Sequence, residues 1–342
     1  MQPFGIAQYR KILSFRARSR ALLEVTEPGG PPGRIAAIDV ARGLALLGMG
    51  VYHLSWDLAY FGFAPPGLPY SPGIRVYSHI VACAFLALVG VSLAVAHRDG
   101  PRWPAFVRRL AIVAGAAALV SIATLLAAPD ETIWFGILHC IAAASLLAAP
   151  FLRAPAWAPL VAGAVALAAP RVLAGAAFNP PALVWLGLGT EDPTTLDWRP
   201  LLPWAGVPLI CLGLTRLALP QLLASKLARW RPGPPGRALA FAGRHSLAIY
   251  LIHQPILFGL LFVGAHLSGE AARHDRERYI AACRPACVES GGEIEACAQA
   301  CECVAAAAEK TGLLASLTSH SVSDESRARV SGIVGECSSD AR

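Results

Sequence analysis

The stretch Ile38-Asp39-Val40-Ala41-Arg42-Gly43-Leu44-Ala45-Leu46-Leu47-Gly48-Met49-Gly50-Val51-Tyr52-His53-Leu54-Ser55-Trp56-Asp57 is long and apolar enough for one membrane crossing, yet it carries four ionisable side chains. A bilayer core of roughly 30 Å needs about 20 mostly apolar residues. At about 100° per residue, taking Arg42 as zero, His53 falls near +20° and Asp39 and Asp57 both fall near +60°. The four share one narrow stripe. An ionisable group in a span costs on the order of 2.5–3.5 kcal/mol on insertion scales, so the stripe must turn away from lipid and towards other helices. This segment therefore predicts a bundle and names the face that lines its interior.

The remainder of the chain supplies the other members. Of 342 residues, 55% are hydrophobic and 15% are charged, and the mean hydropathy is +0.52. Ordinary soluble domains carry about 25% charge, which excludes a soluble enzyme as the main body. Seven windows are apolar enough to span: 36–61, 74–96, 105–128, 133–152, 155–175, 200–219 and 241–266. A lipid-embedded backbone must satisfy its own hydrogen bonds, so these windows are expected to be helical. Pro/Gly breaks such as Ala64-Pro65-Pro66-Gly67 and Pro232-Gly233-Pro234-Pro235-Gly236 separate them, because proline lacks an amide donor and restricts its predecessor. The predicted fold class is all-α: a polytopic membrane bundle of about seven transmembrane helices plus a small C-terminal helical hairpin.

Charge divides the chain. Residues 1–269 hold 21 Lys/Arg against 10 Asp/Glu, and residues 270–342 hold 8 against 12. The bases concentrate in the N-terminal segment, the 97–109 loop, Arg153 and the 216–237 loop. They alternate with base-poor loops at 62–73, 129–132 and 176–199. The positive-inside rule then places the N-terminus in the cytoplasm and, after an odd number of spans, the C-terminus outside. The expected organisation is a basic cytoplasmic segment (1–35), a membrane domain (36–266) and an extracytoplasmic tail (267–342), in a plasma (bacterial inner) membrane. The first 35 residues lack the apolar core of a cleaved signal peptide. Residues 3–22 read either as an interfacial amphipathic helix or as a basic tail.

Six of the nine cysteines lie in the tail. Cys283-x3-Cys287 and Cys297-x3-Cys301 flank Gly291-Gly292, and a four-residue step sets both members of a pair on one helix face. Two helices folded back at the glycines would bring the pairs together, most naturally as Cys283 with Cys301 and Cys287 with Cys297, although four cysteines permit three connectivities. The pattern looks like the twin C-x3-C hairpins of small oxidised proteins. Disulfides need an oxidising compartment, which agrees with the charge-based topology. A zinc site is the competing reading, with no His at ligand spacing.

Within the spans, Asp39 and Arg42 lie near the cytoplasmic end, where an i,i+3 pair is the structural reading and binding of a phosphate the functional one. His53 lies in the outer half, with Asp57 one turn on and positioned to orient its imidazole. His79, His139 and His253 fall at similar depth, so four histidines converge as a common cavity would require. His97, His245, His266, His274 and His320 receive no role.

The segment Ile38-Asp39-x-x-Arg42-Gly43-x-Ala45…His53 resembles the opening span of the acyltransferase-3 family. It is closer still to the heparan-α-glucosaminide N-acetyltransferase family and its bacterial relatives. Four further stretches carry that second resemblance: Trp56-Asp57-Leu58…Phe61-Gly62, Phe135-Gly136-Ile137-Leu138-His139, Leu202-Pro203-Trp204, and Gly243-Arg244-His245-Ser246-Leu247…Tyr250-Leu251-Ile252-His253-Gln254-Pro255. The resemblance implies transfer of an acetyl or other acyl group from cytoplasmic acyl-CoA to an amine or hydroxyl of an extracytoplasmic sugar or glycan. His53 matches the acyltransferase-3 catalytic histidine by position. On this reading His53 is general base or acyl carrier, and Asp57 stabilises its imidazolium. Asp39, Arg42, His139, Trp204 and His253 bind acyl-CoA or acceptor. Acetyl-CoA or another acyl-CoA is the donor substrate, no metal is expected, and the partners are membrane lipid and the glycan, with no nucleic acid. A homodimer is compatible. Two rival classes share the same residues: a proton-coupled transporter, which also needs ionisable groups in a polar cavity, and a bis-His haem or metal redox protein.

Overall fold

The computed structural model describes residues 34–314, 317 and 324–340. The basic segment up to residue 33, including the two readings of 3–22, lies outside the described residues, as does His320. Every described element is helical or irregular, with no strand among the described residues. The longer helices are α1 (Ala36–Tyr60), α2 (Pro72–Ala96), α3 (Trp103–Ala127), α4 (Ile137–Ala148), α5 (Trp157–Leu173), α6 (Gly206–Leu217), α7 (Pro234–Arg244), α8 (Ser246–Ser268), α9 (Glu270–Glu289), α10 (Ile294–Lys310) and α11 (Asp324–Asp340).

Each of the seven apolar windows contains a helix, but they are unequal. Among the described residues four helices, α1, α2, α3 and α8, are long and apolar enough to cross a membrane. The apolar helices in the other three windows are shorter. The 133–152 window loses its first turn because the Ile133 amide donates to Thr124 Oγ1 on α3 (3.1 Å). It loses its last turn at Pro150. The remaining twelve residues of α4 rise about 18 Å. The 200–219 window is interrupted at Ala205. The 241–266 window is interrupted at His245, where the backbone leaves the helical region (φ −102°, ψ 24°). The proline break at 232–236 also starts a helix as well as ending one, since prolines occupy the first positions of α7.

Helix α1 turns the expected face inward. Asp39, Gly43, Leu46, Met49 and Asp57 are buried. Leu44, Leu47 and Val51, between them in sequence, are exposed by more than half and face where lipid would lie. Two close backbone crossings lock α1 to α7. A Cβ on Gly43 would strike the carbonyl oxygen of Leu239, and a Cβ on Gly243 would strike that of Asp39. Small residues at such crossings let helices pack without a hydrophobic driving force in lipid.

Helices α1 and α8 run parallel. Asp39 near the start of α1 meets Gly243, just before α8. Near its end, Asp57 meets Gln254 (2.8 Å) and Phe61 meets Phe258 (ring centroids 4.8 Å). The tail that follows α8 therefore leaves the bundle at the end opposite Asp39 and Arg42.

Among the described residues the tail holds three helices. Its cysteines pair as Cys283–Cys301 and Cys287–Cys297, with Cα atoms 6.0 and 5.7 Å apart, which joins α9 to α10 as a hairpin. These bonds occupy the thiolates that a zinc ion would require. A third disulfide, Cys303–Cys337, ties α11 to α10. Cys83, Cys140 and Cys211, in the bundle, are free thiols.

Both the glycine crossings and the disulfides can be tested directly. Inserting a methyl where a backbone already sits costs about 1–3 kcal/mol. Gly243→Ala should therefore melt several degrees below the wild type in detergent, followed by tryptophan fluorescence, whereas Gly115→Ala, with nothing within 4 Å of its Cβ position, should not. Mass spectrometry after alkylation in denaturant without reductant should find label on Cys83, Cys140 and Cys211 and none on the six tail cysteines.

Candidate functional site

At the first end of the α1 stripe, Asp39 is paired with two arginines. Arg34 Nε donates to its Oδ2 (2.7 Å) and Arg42 Nη1 to its Oδ1 (2.7 Å), with Arg34 Nη2 adding a longer bond to Oδ1 (3.3 Å). The i,i+3 pairing of Asp39 with Arg42 that the sequence allows is thus formed. Arg42 Nη2 also donates to Ser92 Oγ on α2 (2.5 Å), and Ser92 in turn donates to the Leu88 carbonyl. Arg109, from the first turns of α3, approaches closely enough for its charge to act on that of Arg42. His97, in the loop after α2, accepts from the Arg102 amide at Nδ1 (3.0 Å). Burial, together with Arg102 and Arg109 beside it, pushes its imidazole below the ordinary histidine range, so it is neutral at pH 7 and contributes no charge. The cluster carries more positive than negative charge, and both carboxylate oxygens of Asp39 are paired with arginine.

The His53 end of α1 is arranged differently. His53 on α1 and His253 on α8 meet edge to face, with ring centroids 4.9 Å apart. His253 Nδ1 donates to the Tyr250 carbonyl (2.6 Å), which leaves Nε2 as its acceptor. Asp57 is buried, and its carboxylate turns to α8: Oδ1 accepts from Gln254 Nε2 (2.8 Å). The structure thus brings His53 together with His253, and Asp57 with Gln254. An i,i+4 step does place Asp57 on the face of His53, but the amide on the neighbouring helix takes up the carboxylate oxygen.

Four buried side-chain atoms in this region have no hydrogen-bond partner among the described residues: Trp56 Nε1, Asp57 Oδ2, His253 Nε2 and Gln254 Oε1. They lie on two adjacent positions of α1 and two of α8. Native proteins rarely leave such groups unpaired, and those that are call for a ligand, ion or water.

The remaining expected residues separate. His79 stacks on Trp204 (5.3 Å, 15° between planes) and is bonded at Nδ1 to the Arg75 carbonyl (2.7 Å). Trp204 packs with Phe135 and Tyr250 against the buried residues Ala82, Leu86, Ile137 and Cys140. His139 is committed on both nitrogens. The Gly136 amide donates to Nδ1 (3.3 Å), and Nε2 bonds Ser121 Oγ (3.1 Å), whose own proton goes to the Ile133 carbonyl (2.6 Å). That network fastens the start of α4 to α3.

Arg199 is the residue that charge counting passes over. It lies in the 176–199 loop, where it is the single base among acidic residues. That loop is pinned in place. Asp197 Oδ2 accepts from the Ile137 amide at the start of α4 (2.7 Å), a carboxylate on a helix N-terminus. Thr195 Oγ1 donates to the Thr132 carbonyl (2.9 Å), and the Arg199 amide to that of Phe135 (3.3 Å). The guanidinium lies over Trp204 (5.3 Å to the ring) and donates to Ser78 Oγ (2.5 Å) and to the Trp198 carbonyl (2.6 Å). Its charge acts on His53, Cys83, Cys140 and Tyr250, which locates it beside the His53 end of α1. The available sequence signal is its position as a lone base directly before Pro200-Leu201-Leu202-Pro203-Trp204.

A family model described as "Heparan-alpha-glucosaminide N-acetyltransferase, catalytic" matches residues 34–255. The chain belongs to this family. No curated protein and no solved structure matches it. Family membership makes the chain an acetyltransferase-like enzyme, and its apolar helices make it a membrane protein. The matched region takes in both ends of the α1 stripe, Arg199 and the His253-Gln254 pair, and it stops before the disulfide-bonded tail.

Proposed function

We propose that the protein transfers an acetyl or other acyl group from cytoplasmic acyl-CoA to an amine or hydroxyl of an extracytoplasmic glycan, and that the reaction takes place beside His53. The observation that carries this reading is the set of four unpartnered buried atoms next to that histidine. Asp57 Oδ2, His253 Nε2 and Gln254 Oε1 are acceptors on α1 and α8 where the two helices meet, and a group rich in N–H or O–H would complete them. An amino or hydroxylated sugar offers such groups, whereas a second carboxylate would meet the oxygens of Asp57.

The inner cluster suits the donor. Arg34, Arg42 and Arg109 exceed Asp39 in charge and would hold a phosphate of acyl-CoA. From Arg42 to His53 the helix rises about 16 Å, a distance that an extended pantetheine arm covers. His53 takes the proton of the acceptor N–H or O–H as that atom attacks the thioester carbon. A C–N or C–O bond forms, the C–S bond breaks, and the CoA thiolate leaves and is protonated. An acyl-imidazole on His53 is the two-step form of the same exchange, in which the thiolate leaves first and the acceptor attacks the acyl-histidine. Asp57, Gln254 and His253 position the acceptor. Arg199 supplies positive charge for the oxygen that becomes negative as the carbonyl carbon turns tetrahedral. Helices that span the membrane with the tail outside give the two substrates their opposite entrances.

Two outcomes are expected with purified protein, labelled acetyl-CoA and glucosamine as acceptor. His53→Ala should lower transfer by about 10²–10⁴-fold, as loss of a general base does, with acetyl-CoA binding retained; transfer at the wild-type rate would assign the chemistry elsewhere. Arg199→Gln should lower kcat by about 10²–10³-fold with little change in the KM for acetyl-CoA, as loss of a charge-stabilising donor does, and Arg199→Lys should recover part of the rate. A change confined to KM would make Arg199 a binding residue.

A further inference from the structure

The tail does more than extend from the bundle. Helix α9 lies against the loop that follows α1, and the two enclose an open cleft of about 420 Å³. That is within the range of roughly 300–1,000 Å³ typical of small-molecule sites. The loop contributes an apolar floor through Phe63 and Pro65, and α9 contributes a polar wall through His274, Glu277 and Arg278, which share one face at i, i+3 and i+4. Helix α9 is also tied to α10, by the disulfide of Cys283 with Cys301 and by the ion pairs of Arg276 and Arg284 with Glu302 (2.9 and 3.0 Å), so the face towards the loop is held in position.

The approach of α9 depends on one residue. Gly62 has φ +83°, a conformation that favours glycine, and a Cβ there would meet the ring of His274. The chain turns at Gly62 five residues after Asp57, so the cleft opens at the same end of α1 as the unpartnered polar atoms.

We infer that this cleft is a saccharide-binding site formed jointly by the 62–66 loop and the disulfide-bonded tail. The chemistry selects the ligand class. Glu277 accepts and Arg278 donates side by side, which matches hydroxyls that do both. A phosphate or carboxylate would be drawn to Arg278 but opposed by Glu277. Phe63 and Pro65 offer flat apolar surfaces for the C–H face of a pyranose ring, and one aromatic with a few placed polar groups is the usual composition of a small-ligand site. The inference deepens the functional reading above and rests on it in one respect, that the bound sugar is then a neighbouring unit of a polymeric acceptor.

The test uses the full-length protein in nanodiscs and saturation-transfer NMR, with chitotetraose as the saccharide probe and inorganic phosphate as the anion probe. Chitotetraose should bind. The double variant Glu277→Gln/Arg278→Gln and the single variant Phe63→Ala should each weaken it about tenfold, the loss expected for about 1.4 kcal/mol of contacts. Phosphate should not displace it. Absence of chitotetraose binding, equal affinity in all three proteins, or displacement by phosphate would each overturn the proposal. The substituted side chains line an open cleft, and a melting curve for each variant separates lost contacts from lost fold. Acetyl transfer to glucosamine by the unaltered protein is measured separately. Its absence would remove the transfer reading and leave the binding result standing.

Discussion

Hydrocarbon offers a polar side chain no hydrogen-bond partner, and this constraint organises the molecule. Asp39, Arg42, His53 and Asp57 cannot face lipid, so α1 must turn one stripe inward along its whole length, and other helices must meet that stripe with something polar. Helix α2 does so with Ser92, and α8 with His253 and Gln254. The glycine crossing between α1 and α7 follows from the same requirement. Small residues let backbones pass closely, and Gly43 and Gly243 let α7 lie directly on the start of α1, beside Asp39.

Helical periodicity makes the stripe legible in the sequence itself, because four ionisable residues at one angle on a 3.6-residue helix can have only one meaning in lipid. The partner of each is not legible there. An i,i+4 step would let Asp57 orient His53 within α1, yet the amide that reaches its carboxylate comes from Gln254, nearly two hundred residues later. Depth in the membrane is a poor guide to contact for the same reason. His139 and His253 fall at similar heights, but one is fixed to Ser121 and Gly136, while the other faces His53 with a nitrogen to spare. Periodicity gives a height and an angle on one helix; which neighbour stands there is a tertiary fact.

Arg199 and the third disulfide are hidden for a related reason. Positive-inside counting averages over loops, so a single base among acids is treated as noise, although its surroundings fix it over Trp204. Within the hairpin, a four-residue step reveals which cysteines share a face. Cys303 and Cys337 are 34 residues apart, with no periodicity to join them. Spacing alone therefore marks two helices in the tail, because its signal ends at Cys301.

The two ends of the α1 stripe differ in a way that separates holding from doing. At the Asp39 end both carboxylate oxygens are paired with arginine, and the excess charge belongs to arginines that retain further donors. Such a cluster keeps its geometry without a ligand and attracts an anion by its net sign. At the outer end the polar atoms are buried but incomplete. Burial without pairing costs folding free energy, and a cluster that keeps this cost at adjacent positions on two helices gains it back only when something else supplies the missing bonds. A saturated site tolerates an empty state, whereas an unsaturated one is most stable when occupied. The proposed transfer, from a charged donor to a hydroxyl- or amine-bearing acceptor, needs one of each, at opposite ends of one rigid helix.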